Sequence, residues 1–190
     1  DFFTLLDVEL QRLQTDYIDF DLLHALDQER FDIIKEKKNY ENALKAKADG
    51  KIRYLGFSFH DDLKVFKEII DTYDFDFCQI QLNYLDENYQ AGLEGLKYAK
   101  SKGLSVVIME PLRGGQLAQL PKSITDQLGG FSPVELALSY LYNMEDVDVV
   151  LSGMNESFQI EENIEITGRV LPNSLSEDTL EKIDFLKKEI

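Results

Sequence analysis

Ile18-Asp19-Phe20-Asp21-Leu22-Leu23-His24 and, one helix later, Gly50-Lys51-Ile52-Arg53-Tyr54-Leu55-Gly56-Phe57-Ser58 read as two buried strands, each ending on a polar side chain capable of chemistry. Reactive side chains at the carboxyl ends of successive buried strands are how a (β/α) barrel assembles a site at one mouth. Outward from this pair, further β-type runs cover residues 77–82, 104–109 and 147–151, with the first two strands at 18–23 and 52–57. Between them lie helical patterns. Tyr40, Ala43, Leu44 and Ala48 recur at helical spacing, and Gly50 stops that helix in a left-handed position. Leu63, Phe66 and Ile70 follow an acidic cap at Asp61 or Asp62, while Leu93, Leu96 and Ala99 are closed by Gly103. Ser132-Pro133-Val134-Glu135 supplies a serine cap, a proline at the first helical position and a glutamate placed to close a capping box. Residues 155–165 and 176–190 read as two more helices, the last with Leu180, Ile183 and Leu186 as its packing stripe.

Strict strand–helix alternation with nearly continuous apolar strands predicts a parallel sheet covered by helices, because parallel neighbours require long crossovers. No strand is followed by a glycine-rich dinucleotide-fold turn, which favours the closed barrel over an open doubly wound sheet. No linker or repeat divides the chain, so residues 1–190 are expected to form a single α/β domain. A barrel closes with eight strands. With five present, the expectation is a partial (β/α)8 TIM barrel holding strands four to eight, the N-terminal strands being missing. Its first and last strands would have unpaired edges, and the segment alone would be marginal or self-associate.

Composition narrows the partners. The chain is 44% hydrophobic and 29% charged, with 20 basic against 36 acidic residues and a formal net charge of -16. Such a field repels a phosphate backbone, and the densest basic run, Lys35, Lys37 and Lys38, is broken by Glu36; no nucleic-acid partner is expected. No apolar run approaches the roughly 20 residues of a membrane span, so no membrane partner is expected and a cytoplasmic location is. Cys78, the one cysteine, sits in an apolar strand and reads as a core residue, not a nucleophile.

Among the chemical candidates, His24 ends the face formed by Ile18, Phe20 and Leu22. A neutral imidazole there could orient a carbonyl or move a proton, and it could equally be a core histidine bonded to a backbone carbonyl. Asp19 and Asp21, on the opposite face, are expected to pair with Arg53 or Lys51.

The run Leu10-Gln11-Arg12-Leu13-Gln14-Thr15-Asp16-Tyr17-Ile18-Asp19 leading to His24, and the run from Gly50 to Ser58, together resemble the aldo/keto reductases. Later motifs keep the family order: Gln79-Ile80-Gln81-Leu82-Asn83, Glu110-Pro111-Leu112-Arg113-Gly114-Gly115, and Gly153-Met154 followed by Glu162-Asn163. The resemblance implies a barrel that binds an extended nicotinamide cofactor, NADP or NAD, across its mouth and moves hydride to or from a small-molecule carbonyl or alcohol. By motif position, His24 would help orient the substrate carbonyl, and Ser58 and Gln79 would hold the nicotinamide amide. Glu110, Leu112, Arg113, Gly114 and Gly115 would lie at the pyrophosphate, and Met154, Gln159, Glu162 and Asn163 at the adenosine end. Free N–H groups of late barrel loops and a helix amino end suit a phosphate, although a plain tight turn also explains the two glycines.

Departures from the family pattern qualify this. Phe59 follows Ser58 where an asparagine is common, and Met109 stands where many members stack an aromatic ring on the nicotinamide; a thioether covers it less specifically. Between Ser152 and Asn163 there is no Lys or Arg, while Glu156, Glu161 and Glu162 are acidic, so a weaker preference for NADP than the family's is expected. The family's catalytic tyrosine, lysine and aspartate belong to earlier strands and have no counterpart here, so the segment alone is expected to be inactive. The spelling around Ser58 and Glu110 looks most like a bacterial branch whose barrel precedes a ferredoxin-like segment. Any iron-sulfur cluster would belong to such a segment, beyond Ile190. The competing reading is a non-catalytic nicotinamide-binding regulatory or interaction module on the same barrel.

Overall fold

Strand after strand is returned to the same edge of one growing sheet by an intervening helix. The computed structural model describes residues 1–190 and runs α1 (Phe2–Leu13), β1 (Ile18–Leu26), α2 (Gln28–Lys37), α3 (Asn39–Ala48), β2 (Ile52–Phe59), α4 (Leu63–Thr72), β3 (Phe77–Gln81), α5 (Gly92–Ser101) and β4 (Ser105–Met109). After a 3-10 turn at Gln116–Ala118 it continues through α6 (Lys122–Thr125), α7 (Pro133–Tyr142), β5 (Val149–Val150), α8 (Ser157–Thr167) and α9 (Glu177–Glu189). All strand pairs are parallel and the order is β1-β2-β3-β4-β5. A doubly wound sheet reverses its order at a switch point, whereas a barrel adds strands in sequence. The sequential order is that of a partial TIM barrel. No helix is long and apolar enough to cross a membrane.

The two faces of the sheet differ. Leu55, Phe57, Phe59, Cys78, Ile80, Val106 and Ile108 point to the helices and are fully buried. Alternate residues, among them Tyr54, Gly56, Ser58, Gln79 and Met109, lie on the other face, which leads to the strand-end loops. Gly56 is required there by close approach: a Cβ would stand 2.5 Å from the Phe77 ring. Burial raises the Cys78 thiol, as expected of an inert core cysteine.

Expected boundaries shift at the sheet edges. β1 is not buried as its apolar residues suggest: Phe20 is 65% exposed and His24 is exposed, because β1 has only β2 as a neighbour and no second layer covers its site face. Phe20 instead stacks on Tyr54 at 5.0 Å and meets Phe77 edge-on at 5.6 Å. β5, paired on one side only, is two residues long where five were expected. Helices α1 and α2 escape sequence reading, since α2 is separated from α3 by Lys38 at φ 55 and not by glycine or proline. Gly50, at φ 77, does close α3, and Asp62 caps α4. At α7, Ser132 accepts from the Glu135 N–H at 3.0 Å, but the box is only half formed: the Glu135 carboxylate pairs with Arg169.

An unexpected device recurs at the amino ends of β3 and β5. Asp76 accepts from Lys47 of α3 and from the Leu55 N–H of β2 at 2.7 Å; Asp148 accepts from Lys100 of α5 and from the Val106 N–H of β4 at 2.7 Å. Each aspartate ties the helix before one strand to the entry of the next. Asp76→Ala leaves the Leu55 N–H without its acceptor and should cost about 1–3 kcal/mol of stability. An unchanged midpoint in urea unfolding would contradict that clamp.

Candidate functional site

At the carboxyl end of the sheet, β1 carries an extra residue. Leu23 pairs with Phe57 and Leu26 with Phe59, so three steps of β1 oppose two of β2. The bulge puts Ala25 at φ 55 and lets its N–H donate to Ser58 Oγ at 2.6 Å. Ser58 is 1% exposed and its hydroxyl proton meets no protein acceptor, so it can donate to a bound group. His24 stands in the bulge, its ring open to solvent, in place of the covered imidazole expected at the end of an apolar face. Arg53 pairs with Asp19 at 2.6 Å as anticipated, while Lys51 turns to Asp7. Asp21 accepts from the Leu22 N–H, and burial raises its carboxyl above the ordinary value. Gln79 donates to Met109 Sδ at 3.4 Å, coupling the two across β3 and β4 and leaving the Gln79 carbonyl free.

The exits of β4 and β5 and the amino ends of α7 and α8 enclose a cleft of about 770 Å³. Met109, Glu110, Leu112, Gly114, Gly115, Met154, Gln159, Glu162 and Asn163 all line it, joined by Ser132, Pro133, Val134, Ser152, Gly153 and Phe158. Of the expected residues, His24, Ser58, Gln79 and Arg113 lie outside this lining. Arg113 is drawn away to Asp86, with its Nε at 3.4 Å. The lining contains no Lys or Arg and two carboxylates, Glu110 and Glu162. Glu162 accepts from the Ser132 hydroxyl at 3.0 Å, and Asn163 donates to Ser152 Oγ at 3.0 Å. Gln159 spends its side-chain oxygen on the backbone N–H groups of Asn155 and Glu156 at the start of α8. The next two N–H groups, of Ser157 and Phe158, have no protein acceptor.

The loop after β4 is held in an unusual shape. Glu110, Arg113, Gly114 and Gly115 have φ of 58, 49, 62 and 88, the first two in a region non-glycine residues seldom adopt. A buried network enforces it. Asn83 donates to Asp86 at 2.9 Å and to the Glu110 carbonyl at 3.1 Å, while its own carbonyl accepts from the N–H groups of Leu85 and Asp86, both at 3.0 Å. Gln81 adds a second donor to Asp86 at 3.0 Å. Gln81, Asn83 and Asp86 escape a motif-led reading as site-shaping residues. The spacing Asn83-x-x-Asp86 after a strand is the available signal, since a short amide side chain there folds back on its own turn.

Beneath this turn, Tyr140 and Lys187 both donate to Glu87, tying α7 and α9 to the loop after β3. Burial works to raise the Glu87 carboxyl, but the hydrogen bonds from Lys187 and Tyr140 hold it below its ordinary value. Burial, then Glu87, pushes the Tyr140 phenol up. Tyr84, packed edge-on to Tyr140, is 1% exposed with no partner for its hydroxyl, and burial raises it to about 12.

A parallel barrel sheet whose late strand exits and helix amino ends converge on one mouth defines the broad class of (β/α) barrel proteins with a ligand site at the carboxyl face. Residues 4–186 match the Aldo/keto reductase family, and the chain belongs to that family. It is 27% identical to L-galactose dehydrogenase of Arabidopsis thaliana over 205 residues, covering 97% of this chain and 63% of that protein. Among solved structures it is similar to the aldo-keto reductase AKR11C1 from Bacillus halodurans, in apo and holo forms. Each has a TM-score of 0.77 at 25% identity and covers 97% of this chain, with 67% of the apo and 66% of the holo chain matched. The chain thus spans a little under two thirds of the curated relative's length.

Proposed function

We propose that this chain carries the dinucleotide-binding part of an oxidoreductase that transfers hydride between NAD(H) or NADP(H) and a carbonyl or alcohol of a small molecule. The observation that carries the reading is the convergence of the Glu110–Gly115 loop, the β5 exit and the start of α8 on one cleft. Its volume of about 770 Å³ falls in the roughly 300–1,000 Å³ range of small-molecule and cofactor sites. The unpaired N–H groups of Ser157 and Phe158 suit phosphate oxygens, and the Ser58 proton and Gln79 carbonyl suit an amide. When bound, the nicotinamide would supply or accept the hydride.

In this reading Ser58 and Gln79 hold the amide end, Met109 covers the ring, and Leu112, Arg113, Gly114 and Gly115 shape the loop at the pyrophosphate. Met154, Gln159, Glu162 and Asn163 grip the adenosine end. Glu110 borders the same loop. His24 presents its exposed imidazole to the substrate oxygen. The relative that acts on L-galactose, by its name, supports a small hydroxylated substrate. The family's tyrosine, lysine and aspartate match no motif among residues 1–190, so the chain alone binds cofactor without turnover. Residues 1–190 act as one domain, and the open edges of β1 and β5 favour self-association.

With two carboxylates and no basic side chain on the cleft wall, a 2′-phosphate meets repulsion, and the preference for NADP is weaker than the family's. Fluorescence titration of the chain with NADH and NADPH tests both statements. NADPH is expected to bind less than tenfold more tightly than NADH. Tenfold tighter NADPH binding would overturn the weaker preference, and no binding of either would overturn the function.

A further inference from the structure

We infer that the Glu110 carboxylate is an internal competitor for the phosphate position of the cleft, so that Glu110 sets dinucleotide affinity by occupying the Gly114 N–H until a ligand displaces it. This rests on the dinucleotide reading of the cleft and assigns Glu110 a role opposite to holding the cofactor.

Glu110 Oε2 accepts from the Gly114 N–H at 2.5 Å. Elsewhere in this loop the N–H groups of Arg113, Gly115 and Gln116 are spent on backbone carbonyls, so the Gly114 N–H is the one tied to a side chain that can leave. The approach to the turn is otherwise open. Apart from the adjoining residues of the chain, the single heavy atom within 4 Å of where a Gly114 Cβ would stand is Glu110 Oε2, at 3.9 Å, and around Gly115 there is none. A ligand phosphate reaching this backbone therefore meets the carboxylate first. Two negative groups cannot share one donor, because the interaction is a charge-assisted hydrogen bond with a single proton.

The contact is built in, because the Glu110 backbone is not free to wander. Its φ of 58 is fixed by the donation of buried Asn83 to its carbonyl at 3.1 Å and by the Arg113 N–H on the same carbonyl at 3.1 Å. Only the side chain, exposed and unpaired with any Lys or Arg, can swing. The carboxylate thus satisfies the turn and must return to water when a phosphate takes the Gly114 N–H.

The test uses Glu110→Ala, with Glu110→Gln as an intermediate that keeps a weaker, neutral acceptor. Glu161→Gln serves as a control for the same change in net charge, on an exposed residue outside the cleft lining. Each is titrated with NADH by fluorescence and with ADP-ribose and adenosine by calorimetry. Glu110→Ala is expected to tighten NADH and ADP-ribose about fivefold, the scale of one hydrogen-bonded competitor removed, with Glu110→Gln between it and the parent. Adenosine affinity and thermal midpoint should stay where they were, and Glu161→Gln should reproduce less than half of the gain. Unchanged or weaker NADH binding by Glu110→Ala, in a chain that does bind NADH, overturns the inference alone. Equal gains for adenosine, or for Glu161→Gln, also overturn it by showing a general charge effect. Absence of NADH binding in every variant overturns the dinucleotide reading and the competitor with it.

Discussion

Asn83→Ala is expected to weaken NADH binding at least about tenfold, equivalent to about 1.4 kcal/mol, and to cost about 1–3 kcal/mol of stability. The side chain is fully buried, and its carbonyl is the acceptor for two backbone N–H groups, of Leu85 and Asp86. A buried donor left without an acceptor costs about 1–3 kcal/mol, and the variant strips the Leu85 N–H of its acceptor, while the Asp86 N–H keeps the backbone carbonyl of residue 83. The same deletion frees the Glu110 carbonyl from the donor that helps hold its left-handed backbone, so the loop carrying Gly114 and Gly115 can relax. Affinity should therefore fall by more than a global loss of stability explains, because measurements made far below the unfolding midpoint see only folded protein. Urea unfolding and NADH titration on one preparation decide it. A stability loss under about 1 kcal/mol with NADH affinity within twofold would show that the network does not shape the loop.

Phe66→Ala should be the costliest core truncation, about 3–5 kcal/mol. Its ring is fully buried between the sheet and α5, 5.0 Å from Phe59 and 5.8 Å from Phe57 by ring centroids, and 3.2 Å from where a Gly95 Cβ would stand. Phe57 and Phe59 flank Ser58, so the cavity opens directly behind the strand end that presents the serine. Phe66→Leu, which keeps most of the volume, should lose under about 1.5 kcal/mol. A small effect of the alanine variant would mean that α4 collapses onto β2 without cost.

Local chemistry explains why parts of this were readable in advance. Gly50 and Asp62 end and begin their helices for backbone reasons that neighbours do not alter, and the strands at 52–59 and 77–81 are apolar enough to have one outcome. The motif at Glu110–Gly115 pointed to exposed backbone or a tight turn at its two glycines, and the structure gives positive φ to Glu110 and Arg113 as well as to Gly114 and Gly115. Most of the residues assigned to the pyrophosphate and the adenosine end meet in one cleft, while Ser58 and Gln79, assigned to the nicotinamide amide, lie outside its lining. The exposure of Phe20 and His24, by contrast, was hidden from pattern reading. Alternation says which residues share a face but not whether anything covers that face.

What the amino-acid order determined by itself was the parallel strand–helix course, the family and the neighbourhood of the cleft, because these depend on periodicity, caps and contiguous motifs. Only the tertiary structure decided the bulge that hands the Ala25 N–H to Ser58, the diversion of Arg113 to Asp86, and the closing of Glu110 on Gly114. Each of these is a choice among hydrogen-bond partners made by distance in space. Chemistry alone leaves such choices open, since a carboxylate can accept from a guanidinium, a backbone N–H or water.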